Sequence, residues 1–134
     1  MNSHFLFRKL VLLSFAIYVV YFFLSDFHQH IYSSDEMELL AWNGLGATLG
    51  SVVAFPYVLG VAYTIITMGL FFYKAWARTG FMLIVIINGF SAVFAGISVS
   101  GGWDSMLGYF LAIIDGFLLA MVYLTPLVAE FEDA

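Results

Sequence analysis

From Met106 to Val128 the chain reads MLGYFLAIIDGFLLAMVYLTPLV, apolar throughout except for one carboxylate near its middle, Asp115. At ~1.5 Å of rise per residue a helix over this run is ~34 Å long, enough to cross a hydrocarbon core of ~30 Å. An acid alone in such a run constrains the fold more than any other feature of the sequence. The bilayer offers the backbone no water, so the run must be helical, and the carboxyl group must be met by other polar groups of the protein.

The rest of the chain fits the same solvent. Of its 134 residues 63% are hydrophobic and 10% charged, where soluble domains carry about a quarter charged. The polar stretches between apolar segments are too short to form a water-soluble core. Apolar segments at residues 5–24, 45–73, 79–99 and 106–128 predict one integral-membrane domain, an all-α bundle of four transmembrane helices. Arg8 and Lys9 precede an unbroken apolar run, the pattern of a secretory leader. Phe22-Phe23-Leu24-Ser25-Asp26 offers no small-residue cleavage site, however, so the segment is expected to be a retained span. The second apolar run, from Gly44 to Tyr73, is longer than one upright crossing needs and holds Gly44, Gly46, Gly50 and Pro56 in its first half, which predicts a tilted or kinked helix from about Leu45.

The connection from Ser25 to Asn43 is acidic, with Asp26, Asp35, Glu36 and Glu38. Within it Ser33 and Glu36 stand at capping-box spacing before Met37, Leu39 and Leu40, so a short helix lying in the membrane interface is expected in this first outer loop. Arg8, Lys9, Lys74 and Arg78 all fall on one side of a four-span arrangement and the opposite connections contain no lysine or arginine. By the positive-inside rule both termini are expected to be cytoplasmic, in a plasma or inner membrane.

Several function classes drop out. Without cysteine there are no disulfides, thiolate metal sites or cysteine nucleophiles. Four basic residues are too few for a nucleic-acid footprint. No deep histidine accompanies a serine and no glycine-rich phosphate loop is present, so enzyme activity is not expected and no cofactor is assigned. Asp26, His28 and His30 would offer a carboxylate and two imidazoles to a zinc-type ion if the strand were extended; solvated loop side chains are the plainer reading.

Small residues recur every fourth position at Gly108, Ala112, Gly116 and Ala120, and again at Gly46 and Gly50 and at Asn88, Ala92 and Gly96. Such faces let helices approach closely, so the third and fourth spans are expected to form a tight hairpin. Counted from residues 128 and 79, Asp115 lies ~20 Å deep, Ser91 ~18 Å and Asn88 ~14 Å, close enough to share a layer. With no lysine or arginine at that depth the acid is expected to sit protonated and to bond Asn88, Ser91 or a tyrosine, Tyr63 or Tyr18.

In size and span count the chain resembles the small multidrug-resistance transporters and the small fluoride channels. The former carry a substrate-binding glutamate in the first span, whereas residues 5–24 contain no acid, and Asn88-Gly89-Phe90 is a fragment of the latter's Asn- and Phe-rich signature. Neither resemblance assigns a function. The leading expectation is a non-enzymatic membrane partner, an accessory or assembly subunit or an immunity-type protective protein. It would contact lipid and either its own copies, as a homo-oligomer, or another membrane protein. The alternative is a small oligomeric proton-coupled transporter or ion channel in which Asp115 titrates.

Overall fold

The computed structural model of the chain describes residues 3–48 and 54–132, and these are helical with no strand. Helix α1 (Ser3–Phe23) runs through a 3-10 turn at Leu24–Phe27 into α2 (His28–Ile31). Ser33 then caps the short α3 (Ser34–Leu40). Its hydroxyl accepts from the Glu36 amide while the Glu36 carboxylate accepts from the Ser33 amide, the reciprocal pairing that the spacing predicts. None of α3 is buried.

Three long helices follow, α4 (Ala54–Phe71), α5 (Ala75–Phe94) and α6 (Gly102–Leu124), and the described residues close with the short α7 (Val128–Glu132). Three helical stretches are long and apolar enough to cross a membrane: Ser3–Ile31, Ala75–Phe94 and Gly102–Leu124. The apolar part of α4, Phe55–Phe71, is shorter. The expected start of the second span near Leu45 is corrected. Gly44 and Gly46 adopt left-handed backbone (φ 79° and 77°) in a run of turns, so Gly46 lies on no helix face, and Gly50 falls outside the described residues. Pro56 is the third residue of α4 as described, close to the start of that helix.

The other boundaries shift as well. Helix α5 begins directly after Lys74, earlier than Thr79, and ends at Phe94. Helix α6 starts at Gly102 and stops at Leu124 because Thr125, which precedes Pro126, is extended (φ −117°, ψ 166°).

Each long helix buries one stripe: Phe7, Val11 and Ser14 on α1; Tyr63, Thr67 and Leu70 on α4; Ala77, Phe81 and Ile84 on α5; Asp115, Leu118 and Val122 on α6. The spacing of three or four residues makes each set one face of a helix. Helix α1 packs chiefly on α6 and also on α4, α4 packs on α5, and α5 meets α6 only over a short stretch. The expected close hairpin of the third and fourth spans is therefore corrected. What α6 turns inward is the Asp115 stripe, while Ala112 and Gly116 are exposed and Gly108 and Ala120 are only half-buried.

The core lies at the end of the bundle that carries all four lysines and arginines, called here the basic end. There α7 folds back and sets Phe131 against both Phe7 and Tyr73, at ring-centroid distances of 5.9 and 5.4 Å. Helices α4 and α5 close on each other where a Cβ on Gly69 would come within 2.6 Å of the Ala77 methyl, so only glycine fits. Tyr73 turns the chain between them in left-handed backbone (φ 56°). Arg8 lies over the rings of Phe71 and Tyr73, 5.3 Å from each centroid, so the charge stays at the helix ends while its stem covers apolar surface.

Candidate buried polar site

Asp115 does not meet the third-span residues expected beside it. Its Oδ1 accepts a 2.6 Å hydrogen bond from Ser14 on α1 and a 2.9 Å bond from the Tyr63 hydroxyl on α4. The Ser14 and Tyr63 hydroxyls are themselves 2.6 Å apart. Ser14 is 0% exposed, Tyr63 1% and Asp115 7%, so the three oxygens form a triangle shut off from bulk solvent. Tyr63 is its hub. Its ring stacks on Tyr18 of α1 at 4.1 Å and tilts against Phe81 of α5 at 6.2 Å, so one side chain touches all three other long helices.

Counting protons shows what the triangle can hold. It has three short edges, and the two hydroxyls supply one proton each. As a carboxylate, Asp115 receives both, and the edge between Ser14 and Tyr63 holds no proton. In its acid form the carboxyl supplies the third. Asp115 then donates to Ser14, Ser14 to Tyr63 and Tyr63 back to Asp115, a closed ring in which every oxygen gives once and receives once. Every edge of the triangle is satisfied only in that form, which matters where no water can replace a missing bond.

Tyr63 is the one residue of the expected set that reaches Asp115. Asn88 is exposed, and its side chain makes no hydrogen bond among the described residues. Ser91 spends its hydroxyl on the Asn88 carbonyl of its own helix, at 2.8 Å. The displaced helix ends explain why. Measured from Leu124, Asp115 lies ~14 Å deep, whereas Asn88 measured from Ala75 lies ~20 Å deep, so the two sit about a turn apart. Ala92 is exposed, and Gly96 lies beyond the end of α5 with a φ of 73°. Ser14 was not anticipated. A single serine in the run Leu10 to Leu24 has no spacing signal, and only its depth, level with the other two, could have singled it out.

A second polar cluster closes the opposite, acidic end. Asp104, in the first turn of α6 where the helix dipole favours an anion, has His28 Nε2 at 3.0 Å from one oxygen and accepts from the Tyr32 hydroxyl at 2.7 Å on the other. The Tyr32 hydroxyl also accepts from the Trp103 amide. Desolvation first, and then the bond to Asp104, hold Tyr32 above the ordinary tyrosine value, so it stays a neutral donor. The metal candidate is corrected here. Asp26 and His30 lie on the 3-10 turn and on α2, where helical backbone separates alternate residues, and His28 is turned to Asp104 instead. Among the described residues no three His, Cys, Asp or Glu side chains form a metal-holding group.

Compared with known proteins, the chain finds no match among family models, curated proteins or solved structures.

Proposed function

We propose that this is a non-enzymatic membrane partner protein, an accessory or assembly subunit or an immunity-type protective protein that works by contact with a further membrane segment. One observation carries the reading. Asp115, the acid that chemistry would need, is spent inside the bundle on hydroxyls from α1 and α4, while the Asn88 side chain is left exposed and makes no hydrogen bond among the described residues. In this reading the chain crosses a plasma or inner membrane four times. The place of Tyr63 in the triangle supports counting α4 as a span, since it sets that helix at the depth of α1 and α6. With every lysine and arginine at one end, that end faces the cytoplasm, and both ends of the described chain lie there.

The alternative, a proton-coupled transporter or channel using Asp115, is favoured by the different number of protons the triangle holds in its two forms. Purification in mild detergent, followed by reconstitution into liposomes carrying a pH gradient, separates the two. The partner reading expects a complex of defined stoichiometry and no proton flux. Dissipation of the gradient, lost in Asp115→Asn, would replace it with the transport reading.

A further inference from the structure

From Ile86 to Phe94 every residue of α5 except Ser91 is exposed, so this part of the helix is left largely uncovered by the described residues. Asn88 lies four residues beyond Ile84 on the stripe that buries Ala77, Phe81 and Ile84, yet nothing among the described residues covers it. An amide at this depth has two N–H donors and a carbonyl, and lipid tails offer none of them a partner. Taking the chain to act through contact with a further membrane segment, we infer that this segment is α5 of a second copy, paired about a two-fold axis through Asn88.

Three features select a copy of the same chain. A carboxamide is self-complementary, since each donates to and accepts from the other, as a two-fold contact requires. With all four lysines and arginines at one end, the positive-inside rule favours one orientation for every copy, which puts their Asn88 residues at the same depth. Between Arg78 and Phe94 the helix carries no charge to repel its twin, and Gly89 and Ala92 leave room for close approach.

The absence of native cysteine makes the test direct. The full chain carrying Ala92→Cys, one turn from Asn88, is oxidised at low protein density in phosphatidylcholine–phosphatidylglycerol vesicles, beside a chain carrying Phe90→Cys on the far side of the same helix. A disulfide dimer is expected from the first and not the second. Adding Asn88→Leu should weaken dimerisation roughly 3- to 30-fold, while Asn88→Gln should preserve it, with helix content unchanged in both because the Asn88 side chain makes no hydrogen bond among the described residues. Equal cross-linking from both cysteines, or a dimer indifferent to Asn88→Leu, overturns the inference. A strictly monomeric protein also overturns it, and the partner reading survives that result only if a stoichiometric complex with a different chain is isolated.

Discussion

The basic and acidic halves of this bundle are held together by different means. In the basic half the four stripes interlock around Phe7, Phe81, Leu118 and Phe131, and the polar triangle sits at the inner limit of that packing. In the acidic half the long helices expose most of their surface, and an apolar cavity of about 320 Å³ opens between α1 and α4 beside Tyr18 and Phe22. That half is tied at its tip by polar links: the His28–Tyr32–Asp104 cluster, and backbone bonds from Gly44 to Ile97 and from Ile97 to Leu45. Dispersion between interlocked side chains resists separation all along a stripe, whereas a few hydrogen bonds at a tip leave the helices below them free to part. Rigidity therefore belongs to the basic half, and any surface open to a neighbour belongs to the acidic half.

Substitutions that sharpen this contrast form a descending series. Phe131→Ala removes the ring packed against Phe7 and Tyr73 and should cost about 3–5 kcal/mol, read as early unfolding in a denaturing-detergent titration. A cost below 1 kcal/mol would show that the basic half is not packed as described. Gly96→Ala should cost about 2 kcal/mol, because a left-handed φ disfavours alanine and its Cβ would stand 2.5 Å from the Leu45 carbonyl oxygen. The effect should be confined to faster hydrogen exchange at Gly44 and Ile97, with the basic half unchanged. Asp115→Leu should cost about 1–2 kcal/mol, since Ser14 and Tyr63 can still bond each other, and Asp115→Asn should cost less, since its carbonyl accepts from both. Equal losses for the two would show that shape rather than hydrogen bonding fills the site. The smallest effect concerns α3. Bonds from the Ser33 amide and hydroxyl hold Glu36 below its ordinary 4.5. A carboxylate lowered in the folded state stabilises above its unfolded value and loses that contribution as pH falls through its folded one. Exchange of the α3 amides should therefore quicken below the ordinary carboxylate range and leave α4–α6 untouched.

Much of this contrast could be read from sequence in one half and little in the other. The α3 cap was visible because Ser33 and Glu36 are local and their spacing has one common use. Helix ends were less visible. Lys74 and Arg78 made residues 75–78 look like a link, although α5 starts at once after Lys74, and the apolar run to Val128 concealed the stop that Pro126 imposes on α6. Those two errors moved Asn88 and Asp115 into a false common layer. Small residues mark where helices are able to approach, not where they do, so the Gly108, Ala112, Gly116 and Ala120 ladder named a face that the bundle leaves largely open. Ser14 and the pairing of α1 with α6 depend on contacts between distant parts of the chain, which no local pattern encodes.

In its acid form the triangle is a closed circuit of three oxygens, with a property that the partner and transport readings weigh differently. Its protons can run clockwise or anticlockwise, and a concerted hop of all three exchanges one sense for the other while carrying no charge across the membrane. Delivering a proton onward would require the loop to be cut, by drawing Ser14 or Tyr63 out of reach, and either motion would shift α1 or α4 against the buried core they share.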